Sequence, residues 1–193
     1  MSEHPVTAYD AHSQDDRLLV KKVLSGDHAA FTTIVKNTEQ LVGSIISKIV
    51  SDRQDINDIA QEVYLNAYKN LPTFRFESKL STWIGRIAYN HSINHLRYKK
   101  SLPLEADELD LQQSVSIIIP TDSKQRVEII HAAIKELDPV HQTLITLYHQ
   151  EHLTYAEIHA ITGLPEGTIK SYLFRARKAL KDLLLNQYKK EDL

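Results

Sequence analysis

The sequence predicts an all-α protein of two small helical domains joined by a flexible linker. Only 5 Gly and 6 Pro occur in 193 residues, and apolar residues recur at helical spacing through most of the chain. The pattern breaks at residues 101–123, which hold two prolines, five acidic side chains and no basic one. We therefore expect a disordered tail (1–14), a first domain (15–100), an extended acidic linker (101–123) and a second domain (124–188).

The composition excludes several classes of protein. The chain has no Cys, which rules out disulfides and thiolate sites and fits an intracellular protein. No stretch has the length and freedom from charge of a membrane span, and the polar start does not resemble a signal peptide, so we expect a cytoplasmic location without membrane insertion. The net charge of −2 is low for a protein that grips DNA unaided, because phosphate contacts need Lys and Arg.

The first two helices are predicted to be structural. Residues 15–24 form a helix that ends at Gly26, and Asp27 then caps a long amphipathic segment. The apolar contacts of that segment are Phe31, Ile34, Val35, Val42, Ile45, Ile46 and Ile49. These residues predict a core and imply no chemistry.

Residues 55–71 predict a helix with an acidic outer side. Its buried stripe consists of Ile56, Ile59, Val63 and Ala67. Its polar side carries Asp55, Asp58, Gln61, Glu62 and Asn66. Such a side is either a solvated surface or a docking face for a basic protein, and the spacing alone favours the solvated surface.

Residues 71–88 interleave aromatic and basic side chains. Phe74, Phe76 and Trp83 alternate with Arg75, Lys79 and Arg86, across a break that contains Ser78. Rings on which bases stack, set among cations that follow the backbone, are what a single-stranded nucleic-acid site needs. The alternative is that Phe74 and Trp83 anchor a core beside a loop, and for Trp83 the two interpretations are equally supported.

The helix that continues over residues 89–100 has a polar face suited to bases. Asn90, Asn94, Arg97 and Tyr98 project together, and Asn and Arg side chains pair with adenine and guanine edges. His91 and His95 have the spacing of a metal pair, but no third ligand follows at a diagnostic spacing. We therefore expect neither a metal nor a cofactor.

The second domain is predicted to begin with two structural helices. In the first, Val127, Ile130, Ile134 and Leu137 share a face. Asp138 and Pro139 then start a helix whose apolar contacts are Leu144, Leu147 and Tyr148.

Residues 153–180 predict a helix-turn-helix. Thr154 and Glu157 form a capping box, Gly163 supplies the turn, and Pro165 presets the start of a second helix. That helix buries Ile169, Leu173, Ala176 and Leu180. It turns outward Lys170, Ser171, Phe174, Arg175, Lys178 and Lys181. A solvated basic helix is the simpler alternative, but an outward Phe among cations favours DNA contact.

Three segments, in this order, resemble the extracytoplasmic-function (ECF) sigma factors, the minimal promoter-recognition subunits of bacterial RNA polymerase. They are DINDIAQEVY at 55–64, FRFESKLSTW at 74–83 and LPEGTIKSYLFRAR at 164–177. The resemblance covers about residues 15–185 and leaves no room for the further domains of housekeeping sigma factors. Tyr172 departs from it, since many relatives have Arg there.

The resemblance implies three interfaces. Residues 15–100 correspond to sigma region 2, which binds the polymerase core and melts the −10 element, and 124–188 to region 4, which reads the −35 element. The clamp helices of the largest polymerase subunit would meet Asp55, Asp58, Gln61 and Glu62. The −10 element would meet Phe74, Phe76, Ser78, Lys79, Trp83, Arg86, Asn90, Asn94 and Arg97. The −35 element would meet Glu166, Thr168, Lys170, Ser171, Phe174 and Arg175, with Arg177 holding phosphate or bracing the fold.

The implied partners are RNA polymerase core and promoter DNA. Family members are often held inactive by an anti-sigma factor, and the sequence leaves open whether this chain has one. The acidic linker is a candidate mimic of nucleic acid in a cationic polymerase channel. Since no bond is made or broken, we expect no enzymatic activity. The alternatives are a free-standing helix-turn-helix regulator and, with little support, a hydrolase or metal enzyme using the His residues.

Overall fold

The computed structural model describes residues 8–101 and 123–189, and every regular element in these two ranges is helical. The expected all-α class is therefore confirmed. The first range holds α1 (Ala8–Leu24), α2 (His28–Ile49), α3 (Arg53–Asn70), a 3-10 turn (Leu71–Thr73) and α4 (Leu80–Ser101). The second holds α5 (Ser123–Lys135), α6 (Pro139–Ile145), a π-helical turn (Thr146–Gln150), α7 (Tyr155–Thr162) and α8 (Glu166–Lys189). The predicted acidic linker lies almost wholly outside the described residues.

The helices begin where capping side chains accept backbone hydrogen bonds. Asp27 accepts from the first turn of α2, Asp138 does so for α6, and Thr154 forms a capping box with Glu157 at α7. All three starts agree with the sequence, because a cap acts within three residues of its own position. Asp52 caps α3, which therefore begins two residues before the predicted start at residue 55.

Helices α1–α4 form a first unit around α2. The buried side chains of its centre are Ile34, Val42, Ile45, Ile46, Ile59, Val63, Ala67, Ile84 and Ala88. The predicted stripes of α2 and α3 supply most of them, while Phe31, Val35 and Ile56 are half-buried at the rim. Helical periodicity was sufficient here because one face of each helix meets the core.

Helices α5–α8 form a second unit around α8. Ile169, Leu173 and Ala176 of α8 are completely buried, as predicted. The predicted face of α5 is wrong in part. Ile130 is 43% exposed, and Ile129 and Ala133 take its place in the core beside Ile134 and Leu137. Adjacent isoleucines fit two helical faces equally well, so the packing of α5 against its neighbours makes the choice.

The two units pack directly against each other, α4 on α7 and α2 on α6. A Cβ at Gly85 of α4 would lie 3.3 Å from Ile161 Cδ1 of α7, so this glycine permits the close approach. Polar contacts also join the two units. Lys79 Nζ lies 2.8 Å from Glu157 Oε1, and Ser44 Oγ donates to Glu151 Oε1 at 2.6 Å. The sequence did not predict this contact.

Candidate nucleic-acid and partner interfaces

The exposed face of α8 carries the predicted base-reading side chains. Lys170, Ser171, Phe174 and Arg175 are all exposed, Phe174 to 68%. Burying an aromatic ring is favourable and leaving it in water is not, so a ring this exposed among cations indicates a contact surface. At the start of the same helix Glu166 is exposed, 3.9 Å from Lys170, and Thr168 is half-buried.

Local backbone geometry fixes the angle between α7 and α8. Gly163 ends α7 with φ +73°, a left-handed conformation that glycine adopts without strain. The Leu164 carbonyl then lies 2.8 Å from His159 Nδ1, which ties the turn back to α7. This turn sets the direction in which the basic face of α8 points.

Arg177 points away from the base-reading face and braces the fold. Its Nε donates to His149 Nε2 at 3.2 Å, and its guanidinium lies 5.3 Å from the Tyr148 ring centroid. Burial and the charge of Arg177 lower the pKa of His149, so its imidazole stays neutral and able to accept. Of the two predicted roles of Arg177, the geometry favours the brace.

The loop between the 3-10 turn and α4 is built on an aromatic cluster. Phe74 is only 8% exposed, and its ring centroid lies 4.7 Å from that of Phe76 and 5.2 Å from that of Trp83. Phe74 is therefore a core anchor in this structure, which favours the structural interpretation of this residue over a base contact. Trp83 is half-buried and packs against the core. Phe76 is half-buried, so part of its ring remains accessible in the loop.

Three further features of the loop were not visible in the sequence. Phe76 has φ +59°, which is rare for a bulky residue. The guanidinium of Arg17, from α1, lies 4.5 Å from the Phe76 ring centroid. Lys79, a predicted DNA contact, is paired with Glu157 of the second unit, and the half-buried Ser78 donates to the Lys79 carbonyl at 3.3 Å. All three depend on segments distant in sequence or on local strain, which periodicity does not report.

One face of α4 continues from this loop. Arg86, Asn90, Asn94 and Arg97 are exposed and follow each other at three- and four-residue spacing, so they line the same side of the helix. The structure thus places on one face of α4 the four residues that follow Trp83 in the predicted −10 contact set.

The acidic side of α3 faces a cluster of basic side chains on α4. Asp55 Oδ2 lies 2.6 Å from Lys99 Nζ and 3.2 Å from His95 Nε2, and Glu62 Oε2 lies 3.4 Å from His91 Nδ1. The hydrogen bond from Lys99 lowers the pKa of Asp55. A cleft of about 400 Å³ opens between these helices. Asp58 and Gln61 are exposed beside it.

The two histidines of α4 are each paired with a carboxylate of α3. Sequence spacing identified His91 and His95 as a pair but could not identify these partners, which lie on another helix. Among residues 8–101 and 123–189, no group of three or more potential ligands is placed to hold a metal ion. No helix of the described ranges is long and apolar enough to cross a membrane.

Comparison with known proteins matches each of the two units to a known family. A family model of sigma-70 region 2 matches residues 34–102, and one of sigma-70 region 4 matches residues 127–180. The chain is 31% identical over 182 residues to the RNA polymerase sigma-H factor of Pseudomonas aeruginosa, covering 89% of this chain and 94% of that protein. It is 32% identical over 176 residues to the ECF RNA polymerase sigma-E factor of Escherichia coli K12, covering 86% and 92%.

Two solved structures resemble the fold. One is CnrH in complex with the cytosolic domain of CnrY, with a TM-score of 0.64 and 20% identity over 88% of this chain and 97% of that one. The other is the sigma factor RpoE of Bartonella quintana in complex with the anti-sigma factor NepR, with a TM-score of 0.60 and 21% identity over 80% and 96%. At these identities the likeness supports the fold alone.

Proposed function

This chain belongs to the extracytoplasmic-function group of the sigma-70 family, and we propose that three of its exposed surfaces read the −35 element, open the −10 element and bind the polymerase core. The protein binds bacterial RNA polymerase core and directs promoter-specific transcription initiation. The observation that carries this conclusion is the match of both sigma regions, in order, within a chain that is similar to sigma factors over nearly its whole length. None of these matches favours a free-standing regulator.

Helix α8 reads the −35 element. Its exposed Lys170, Phe174 and Arg175 would enter the major groove, where a good bidentate contact discriminates against a wrong base by about 1–3 kcal/mol. The buried face beneath them and the brace at Arg177 support this proposal, because a rigid helix keeps its reading side chains in register.

The loop around Phe76 and the exposed face of α4 open the −10 element. Extruding a base from the duplex costs a few kcal/mol, and stacking on an aromatic ring returns about 1–3 kcal/mol. Phe76 offers such a ring, and Arg86, Asn90, Asn94 and Arg97 extend from it along one side of α4. This chain forms and breaks no covalent bond in that step.

The acidic side of α3 docks on the polymerase core. By the resemblance described above, Asp55, Asp58, Gln61 and Glu62 meet the clamp helices of the largest subunit. The exposure of Asp58 and Gln61 supports this role, since it leaves polar side chains accessible, and the lowered pKa of Asp55 keeps that carboxylate ionised. A core that supplies further DNA contacts also accounts for the low net charge of −2.

The compact arrangement has to open on the promoter. The −35 and −10 elements are nominally about 25 base pairs apart, or roughly 85 Å at about 3.4 Å per step. A compact chain of 193 residues has a radius of gyration of about 16 Å and is roughly 40 Å across. The direct contact of α4 with α7 is therefore a resting state. We further propose an anti-sigma factor as a partner that acts on this state, as NepR accompanies the Bartonella protein.

Runoff transcription tests the proposed function. Purified bacterial core polymerase is supplied with genomic fragments, with and without the chain, and the transcripts are mapped. We expect new start sites that require the chain and share sequence near −10 and −35. Absence of any chain-dependent transcript with a compatible core would overturn the proposal, whereas specific duplex binding without core would favour the free-standing regulator.

A further inference from the structure

Arg17 occupies a place in the aromatic loop that nothing in the sequence assigned to it. It lies in α1, some sixty residues before the loop, yet its guanidinium sits 4.5 Å from the Phe76 ring centroid. The ring centroid of Phe74 lies 4.7 Å from that of Phe76, with the two planes tilted by 54°. The ring of Phe76 is thus in contact with both a core aromatic and a cation.

The placement of Arg17 is fixed by its neighbour in α1. Asp16 Oδ2 accepts a hydrogen bond of 2.8 Å from the backbone N–H of Leu80, the first residue of α4. This bond satisfies one of the otherwise unpaired amides at the start of a helix. It also holds α1 against the end of the loop, so the next residue, Arg17, reaches the Phe76 ring.

The backbone at Phe76 is unusual in a way that points to function. Its φ of +59° puts a bulky side chain in the left-handed region, where only glycine is free of strain. Residues held in such conformations cluster at ligand-binding sites, because the surrounding structure maintains them for a purpose other than stability. Here the conformation presents the ring to Arg17.

These contacts place Arg17 where a base would approach the ring. A base that stacks on the face of Phe76 that Arg17 covers has to displace the guanidinium or stack on its outer side. Arg17 is exposed, and a guanidinium is planar, permanently charged and able to stack on a ring while pairing with phosphate. An arginine at this position can therefore stack on the base of an extruded nucleotide and pair with its phosphate.

We propose that Arg17 is a further −10-recognition residue, which stacks on the extruded base and neutralises its phosphate. This rests on the proposed function of the Phe76 loop. Helix α1 is then part of the DNA-binding surface and not only a support of the core.

The test uses holoenzyme assembled from core polymerase and the full chain. The probe is a forked promoter fragment, from a start site found by runoff transcription, with 2-aminopurine at each non-template −10 position in turn. Affinity, its salt dependence and the fluorescence change are measured for Arg17→Ala, Arg17→Lys and Phe76→Ala. The matched control is Lys22→Ala, which removes an exposed cation from another side of α1.

We expect Arg17→Ala to weaken binding about fivefold or more and to lower the salt-dependence slope by about 0.7, while Lys22→Ala changes affinity less than about twofold. Arg17→Lys should restore the slope but not the fluorescence change, because an ammonium does not stack. Binding by Arg17→Ala equal to that of Lys22→Ala, or complete rescue by Arg17→Lys, would overturn the proposal. If only Phe76→Ala loses binding, the Arg17 proposal fails while the proposed function of the loop stands. If Phe76→Ala keeps its binding, the proposed function of the loop is refuted.

Discussion

A disulfide between α4 and α7 should hold the chain in its compact arrangement and stop initiation at promoters that need both elements. Gly85 and Ile161 are the positions to replace by cysteine. A Cβ at Gly85 would lie 3.4 Å from Ile161 Cγ1, which is one bond from the Cβ of that residue. Disulfides require Cβ atoms about 3.5–4.5 Å apart, and a Cβ at Gly85 this close to Ile161 Cγ1 is compatible with that separation. Ile161→Cys also removes the Cδ1 atom that crowds position 85.

The expected effect follows from comparing the width of the compact chain with the distance between the two promoter elements. A chain locked at roughly 40 Å across cannot place α8 and the Phe76 loop on elements roughly 85 Å apart. The chain contains no other cysteine, so the oxidised double variant has a single possible pairing. Its runoff activity should fall to the fraction that remains uncrosslinked on a non-reducing gel, and reductant should restore it.

Two controls isolate the effect of the lock. Gly85→Cys alone and Ile161→Cys alone, treated with the same oxidant, should keep the activity of their reduced forms. Core binding should survive oxidation, because the acidic side of α3 is outside the α4–α7 contact. Fully crosslinked protein that initiates as well as the reduced protein would refute the argument that the two units separate.

The other predictions concern single surfaces. Asp58→Arg should weaken binding to core polymerase at least tenfold while leaving the melting temperature unchanged, since it reverses an exposed charge on the docking face. Lys170→Ala and Arg175→Ala should each cost about 1–3 kcal/mol in −35-dependent initiation, measured as transcript yield against promoter concentration. Asp55→Asn should reduce stability at neutral pH, because the hydrogen bond from Lys99 lowers the pKa of Asp55 below its unfolded value of 3.8. This contribution is present above that unfolded value and is lost as the pH falls through the folded pKa, so denaturation curves of the two proteins should converge in acid.

Each of these predictions has a control within the chain. Glu39→Arg reverses an exposed charge on α2, outside the predicted docking residues of α3, and should not affect core affinity. Lys36→Ala removes an exposed cation outside α8 and should leave −35 dependence unchanged. Unaltered core affinity in Asp58→Arg would contradict the docking face. Equal losses at promoters with and without a −35 element would contradict base reading by Lys170 and Arg175.

The features that the sequence predicted are those that neighbours along the chain determine. Asp27, Asp138 and Thr154 mark helix starts because a cap bonds to amides within three residues. The inward and outward faces of α8 follow from a period of 3.6 residues. The exposure of Phe174 could be predicted for the same reason, since its position on the helix opposes that of Ile169.

The features that it missed depend on contacts between distant segments. Arg17 belongs to an ordinary amphipathic helix until that helix packs beside Phe76. Phe74 looked like a nucleic-acid contact until the cluster around it placed its ring in the core. Neither outcome is encoded in local spacing, because each is decided by which helix lies next to which.

Glu157 shows how the closed arrangement can open without damage to either unit. Its Oε1 pairs with Lys79 of the first unit at 2.8 Å, while its Oε2 accepts from the Thr154 backbone N–H at 2.8 Å to complete the capping box of α7. Although burial raises it, hydrogen bonds from Lys79 and Thr154 leave the pKa of Glu157 lowered, so the carboxylate stays charged in both roles. Separation of the units gives up the ion pair, worth about 1 kcal/mol for a partly exposed pair, together with the apolar contact of α4 on α7, and retains the cap. We expect the same separation to free Lys79 for a phosphate beside Phe76, which would be a contact with promoter DNA of the same kind as the lost ion pair.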